Sequence, residues 1–209
     1  ELGFATLKFN SVAAQMSRGK SEKTVAFAMS SVAATLAKFS MDVCLYMSQN
    51  FDFISLPAHL TTGSSIMPHK KNPDVFELIR GKCNKIQALP YEITLITNNL
   101  PSGYHREFQL LKEGLFPAIQ NLKACLDIAI FSIKDIKVKD NILADPKYNY
   151  LFTVDTLNEM VVAGIPFRDA YKAVAEQLEN GTYESPKATQ HTHEGSINNL
   201  CLKEIKEKM

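Results

Sequence analysis

Residues 24–48 constrain the fold more than any other stretch of this chain. Val25, Met29, Val32, Leu36, Phe39, Val43 and Tyr46 recur at steps of 4, 3, 4, 3, 4 and 3, the seam of a helix packed in a bundle. Ala26, Ala28, Ala33, Ala34 and Ala37 flank it, and Lys38 and Asp42 are the charged residues. A helix this apolar around its circumference needs several neighbours to cover it. It reads as a central bundle helix. A second long helix follows the same logic through Phe108, Leu111, Leu115, Ile119, Leu122, Leu126, Ile130 and Ile133, with a kink expected at Pro117.

Between them, Phe51 to Leu60 is a connector broken at Pro57. A further helix starts with suitable local chemistry: Asn72 as cap, Pro73 at the first helical position, Asp74 and Glu77 in the positive first turn. Val75, Leu78, Ile79, Cys83 and Ile86 form its apolar face, and Pro90 interrupts it. Near "IKDIKVKDN" (133–141) the character changes and the helices shorten. Leu151 to Ala163 ends at Gly164, and Pro166 opens the next helix, to about Asn180. Residues 181–199 read as loop and the last ten as a short amphipathic helix. No strand pattern survives. The expectation is an all-α protein: a helical-bundle segment over 1–136, then a small helical domain over 137–209.

The 23 basic and 22 acidic side chains leave a formal net charge of +1, which suggests neither a nucleic-acid nor an anionic-membrane partner. Cys44, Cys83, Cys125 and Cys201 are far apart, without zinc-like spacing, and read as small buried hydrophobes in a reducing compartment. With no signal peptide or transmembrane run read, the Asn180-Gly181-Thr182 sequon is silent and a cytoplasmic location is expected. The chain opens at Glu1 rather than Met, and is read as a piece of something longer.

Two irregular polar stretches adjoin the long helices, where rigid scaffolds carry functional loops. In "TTGSSIMPHKKNP" (61–73), Ser64, Ser65, Lys70, Lys71 and Asn72 supply hydroxyl, ammonium and amide groups. In and after "NNLPSGYHRE" (98–107), Tyr104, His105, Arg106, Gln109 and Lys112 do likewise. Cations outnumber acids in both, so the expected ligand is a small polycarboxylate or phosphate. The bland alternative is that a Ser/Gly/Pro loop is only a loop and its lysines are solvated. No Ser-His-Asp arrangement or metal spacing stands out. His191, His193 and Glu194 invite a metal reading but lack further ligands, so no metal is expected. Cys83 reads as core rather than nucleophile.

Gly63-Ser64-Ser65-Ile66-Met67-Pro68-His69-Lys70-Lys71-Asn72-Pro73 resembles the signature loop of the fumarase and aspartase superfamily, GSSxMPxKxNP. "KKNPDVFELIRGK", "LPSGYHREFQLLKE" and "TVDTLNEMVVAGIPFRDAYKAV" resemble its argininosuccinate lyase branch, so the likeness covers nearly the whole chain, as the C-terminal half of such an enzyme. The resemblance implies cofactor-free cleavage of argininosuccinate to arginine and fumarate, in arginine biosynthesis. A proton is removed next to a carboxylate, then the C–N bond breaks. The carbanion needs a base, a nearby cation and exclusion of water.

By match to the motif, Ser64 would be the general base, its alkoxide favoured by backbone N–H groups and cations. Lys70 would stabilise developing negative charge, and Asn72, with Ser65 beside it, would hold a substrate carboxylate. Glu77 would orient and charge a histidine from elsewhere in the site. Tyr104, Gln109 and Lys112 match substrate-binding positions. The loop would act as a lid carrying its own catalytic residue, with Ile66 and Met67 as the apolar anchor of the closed form.

The chain also departs from the pattern. "NSVAAQMSRGK" keeps Asn10, Ser11, Ala14 and Arg18 but has Ala13 and Ser17 where Asp is usual. His105 and Arg106 stand where Asn and Lys are common, and Leu110-Leu111 replace acidic residues. No His matches the family's catalytic histidines, which lie in N-terminal segments, so this chain alone is expected to be an incomplete enzyme. The family's twenty-helix bundle implies a homotetramer whose active sites each draw on three subunits. The alternatives are another lyase of the superfamily, such as adenylosuccinate lyase, or a non-catalytic structural paralogue of the lens-crystallin kind.

Overall fold

The computed structural model describes residues 3–186 and 191–209. They form two compact units, Glu1–Lys139 and Asp140–Met209. The first begins with α1 (Ser11–Met16), whose leading turn is closed by Asn10 Oδ1 accepting from the Ala13 N–H at 2.9 Å. There follow α2 (Lys20–Tyr46), α3 (Asp74–Gln87), α4 (Leu89–Thr97), a 3-10 turn (Arg106–Gln109) and α5 (Leu111–Ile133). The second unit holds two 3-10 turns, then α6 (Thr153–Val162), α7 (Phe167–Glu179) and α8 (Leu202–Glu207).

The all-α expectation holds, with one small departure. Two-residue strands, β1 (Ile54–Ser55) and β2 (Lys137–Val138), pair antiparallel, Ile54 opposite Val138 and Ser55 opposite Lys137. Strands this short carry no periodicity to read. They clip the connector after α2 to the chain leaving α5, and a Lys139–Asp52 ion pair lies beside them.

α2 packs chiefly along α3, and Phe39 meets Phe76 edge to face with ring centroids 6.0 Å apart. The stripe that α2 buries keeps only part of the expected seam. Ala26, Met29, Ala33, Leu36, Ser40 and Val43 are inside, while Val25, Val32 and Tyr46 are exposed. α5 repeats this after Leu115: Ala118, Leu122, Cys125, Ala129 and Ser132 are buried, and Ile130 and Ile133 are exposed. Small side chains let backbones approach, so Ala26, Ala33, Ser40, Ala118, Ala129 and Ser132 share the inner face with Met29, Leu36, Val43 and Leu122.

The structure also corrects the statement that no membrane-length run is present. α2 and the helical stretch through α5 are, by length and composition alone, long and apolar enough to cross a bilayer. Each nonetheless buries a stripe against other helices of its unit, as a bundle helix does.

At the start of α3, Pro73 occupies the N-cap position and makes no side-chain cap, and Asn72 lies outside the helix. The Asn72 backbone is held instead by a bridge to Thr62, which supersedes the expectation that its side chain caps. Pro90 leaves a one-residue break, after which α4 continues with that proline in its first turn. α5 runs unbroken through Pro117.

In the second unit α6 packs on α7, and Phe152, Leu157, Ala170 and Val174 are buried. α6 ends at Gly164 (φ 96°), with the Ile165 N–H donating to Met160 O and the Gly164 N–H to Val161 O, both at 3.0 Å. This double closure needs a left-handed residue after the helix, which glycine supplies without strain. Asp155 on α6 pairs with His191 at 2.6 Å.

Candidate active site

The signature loop is built on a short antiparallel base. The Thr62 N–H donates to Asn72 O at 3.1 Å and the Asn72 N–H to Thr62 O at 2.8 Å. The Thr62 N–H also reaches Asp74 Oδ1 at 3.0 Å, which ties the base to the first turn of α3. Between these fixed ends the backbone turns at Ser64. Its Oγ accepts from the Ile66 N–H at 3.2 Å and the Met67 N–H at 3.0 Å. Two backbone donors on one hydroxyl oxygen favour its deprotonated form, as donors to a charged acceptor do.

The other candidates on this loop are less engaged. Ser65, Lys70 and Glu77 are exposed and Asn72 is half-buried. Ile66 is 86% exposed and Met67 41%, so neither is docked in this conformation. Glu77 sits in the first turn of α3 as expected.

The second loop brings three of its candidates together. Gln109 Nε2 donates to Tyr104 Oη at 2.9 Å, and Lys112 Nζ donates to Gln109 Oε1 at 2.7 Å. Phenol, amide and ammonium thus form one chain that can present donors to a carboxylate. His105 turns away, its Nε2 2.8 Å from Pro101 O.

Two residues without an assigned role frame this loop. Arg18 Nε donates to Glu22 Oε1 at 2.9 Å, its Nη2 reaches Phe108 O at 3.5 Å, and its guanidinium lies 5.6 Å from the Phe108 ring centre. The Glu22 Oε2 also accepts the Gly19 N–H at 2.8 Å. Burial raises the Glu22 carboxyl, but hydrogen bonds from the backbone, Arg18 and Gly19 outweigh it and leave the group below its ordinary value. The i,i+4 spacing of Arg18 and Glu22 was the available sequence signal, and nothing local pointed to Phe108.

Cys83 and Cys125 are buried in the core. Burial, with the neighbouring Cys125 thiol, pushes Cys83 up to about 12, so it stays protonated and is no nucleophile. Among the described residues no group of three metal-binding side chains occurs. A cavity of about 260 Å³ among α3, α4 and α5 is lined by Lys82, Lys85, Glu92, Glu113, Gly114 and others. None of the eight site candidates lines it.

Comparison with known proteins agrees with this fold. A family model described as Lyase matches residues 1–88. The chain is 57% identical to argininosuccinate lyase of Parabacteroides distasonis over 98% of this chain and 46% of that protein. It is 53% identical to argininosuccinate lyase of Phocaeicola vulgatus over 100% of this chain and 47% of that protein. Class II fumarase from Schistosoma mansoni superposes with a TM-score of 0.69, at 20% identity, covering 95% of this chain and 40% of the fumarase. An EDDS lyase variant with bound fumarate superposes at 0.64, with 21% identity, over 86% of this chain and 37% of that one. These two likenesses concern the fold.

The chain belongs to the fumarase and aspartase superfamily of lyases. Within it, the curated relatives it matches at 53–57% identity are argininosuccinate lyases, and the chain spans about half of their length.

Proposed function

We propose that this chain supplies the base and a substrate-holding loop of a cytoplasmic, homotetrameric argininosuccinate lyase, a step of arginine biosynthesis, corresponding to the C-terminal half of the relatives. The observation that carries the reading is the Ser64 hydroxyl, held by two backbone N–H groups inside a loop of the superfamily's signature sequence. As alkoxide, Ser64 takes the proton next to a substrate carboxylate. Electrons from that C–H bond spread into the carboxylate as a dianionic aci form, which Lys70 stabilises when the loop closes over it. The electron pair then returns to form the double bond of fumarate, and the C–N bond breaks to release arginine. Asn72, with Ser65, holds one carboxylate, and Tyr104, Gln109 and Lys112 hold another part of the substrate. Glu77 charges a histidine that this chain does not contain. No metal or cofactor enters the scheme.

The outward-facing Val25, Phe27 and Val32 of α2 and Ile130, Phe131 and Ile133 of α5 are the surfaces other subunits would cover. The test is a substrate panel. The chain, assembled with the N-terminal portion of the Parabacteroides distasonis relative, is expected to cleave argininosuccinate and leave adenylosuccinate intact. Preference for adenylosuccinate would replace the assignment with that sister lyase. An assembled tetramer inert to both would favour the structural paralogue.

A further inference from the structure

We propose that Arg18 is a positioning residue for the second loop: it holds the Phe108 turn so that Gln109 meets Lys112 of α5 and stands ready for a substrate carboxylate. The claim about carboxylate binding rests on the lyase reading above; the claim about the loop stands on geometry. An Arg–Glu pair four residues apart at a helix start ordinarily adds little. Here the guanidinium has a further partner ninety positions along the chain.

One plane serves three directions. Nε is committed to Glu22, Nη2 reaches the Phe108 carbonyl, and the cation lies over the Phe108 ring. A planar fork can do this and an ammonium cannot. The pair is sheltered, with side-chain exposures of 31% for Arg18 and 19% for Glu22, so solvent screens it less than a free surface pair. Glu22 is fixed in turn by the Gly19 N–H.

Gly19 sets how closely the parts meet. Its φ is 82°, and a Cβ there would lie 2.6 Å from Thr97 Cγ2 and 3.6 Å from Phe108 Cε1. The start of α2, the end of α4 and the Arg106–Gln109 turn therefore converge on one point. From Phe108 the next residue is Gln109, which bonds Tyr104 and receives Lys112. Lys112 already stands on α5, so what Phe108 and the groups that grip it fix is the turn that carries Gln109 and, through it, Tyr104.

The test reads the loop before it reads turnover. Hydrogen exchange is followed in the chain at the Phe108 and Leu110 amides, which donate to His105 O and Glu107 O, and at α3 amides as an internal reference. Arg18→Gln should speed exchange at Phe108 and Leu110 about tenfold and leave α3 unchanged. Arg18→Lys should recover part of the protection. Unchanged exchange at the turn, equal opening of α3, or full recovery by lysine would each overturn the positioning role. In the assembled enzyme, Arg18→Gln should raise KM for argininosuccinate about tenfold while kcat stays within about twofold. A fall in kcat at constant KM would also overturn it. If the unsubstituted assembly cleaves no argininosuccinate, the lyase reading fails, and the exchange result alone decides whether Arg18 anchors the turn.

Discussion

Ser64 concentrates the chemical claim of this account in one oxygen atom. Replacing it with alanine removes the general base and leaves the Thr62–Asn72 bridge at the foot of the loop intact, because those residues bond through their backbones. Activity of the assembled enzyme should fall about 10²–10⁴-fold, with circular dichroism and unfolding midpoint unchanged. Gly19 makes the opposite kind of prediction. Alanine there must adopt φ 82° with its Cβ against Thr97, which should cost about 2 kcal/mol or more, read as a lower urea midpoint at unchanged slope. Glu22 supplies a pH dependence. Its folded carboxyl lies below its ordinary value, so its contribution is complete above that value and is lost as pH falls through the folded one. The stability gap between the chain and Glu22→Gln should therefore be open near neutral pH and narrow on acidification below the ordinary carboxylate range.

At the scale of elements, α3 packs along α2 through a compact apolar face. Phe76, Ile79, Cys83 and Ile86 line its inner face, and Phe76 is wholly buried against Phe39 of α2. Phe76→Ala should destabilise by about 3–5 kcal/mol, measured by denaturant unfolding. Helix existence was legible in the sequence because long apolar periods admit few other structures. Which stripe of α2 faces inward was not. Val25, Val32 and Tyr46 fit the period as well as Ala26, Ala33 and Ser40 do, and periodicity alone does not rank a large side chain against a small one. The start of α3 was not legible either, since the Asn72 backbone is committed to Thr62, ten residues away and beyond any local rule. The signature loop was legible because its residue types are so particular. The Arg18–Phe108 contact was not, since it joins positions ninety apart.

For the whole molecule, α2 and α5 are apolar on more than the face they bury, and Phe27, Val32 and Met41 of α2 and Ile130 and Phe131 of α5 remain exposed. Exposed large apolar side chains in this number call for a partner. Placing a charge on it, as in Phe27→Asp, should leave the isolated helical unit folded and prevent assembly with other subunits, seen as a smaller species by analytical ultracentrifugation. The most direct test of the central claim is fumarate release, followed by ultraviolet absorbance, from argininosuccinate. It compares this chain, the relative's N-terminal portion, their assembly, and the assembly carrying Ser64→Ala. The account predicts release by the assembly alone and its loss with Ser64→Ala. An assembly that forms the tetramer yet releases no fumarate, or one that keeps full activity without the Ser64 hydroxyl, would contradict it.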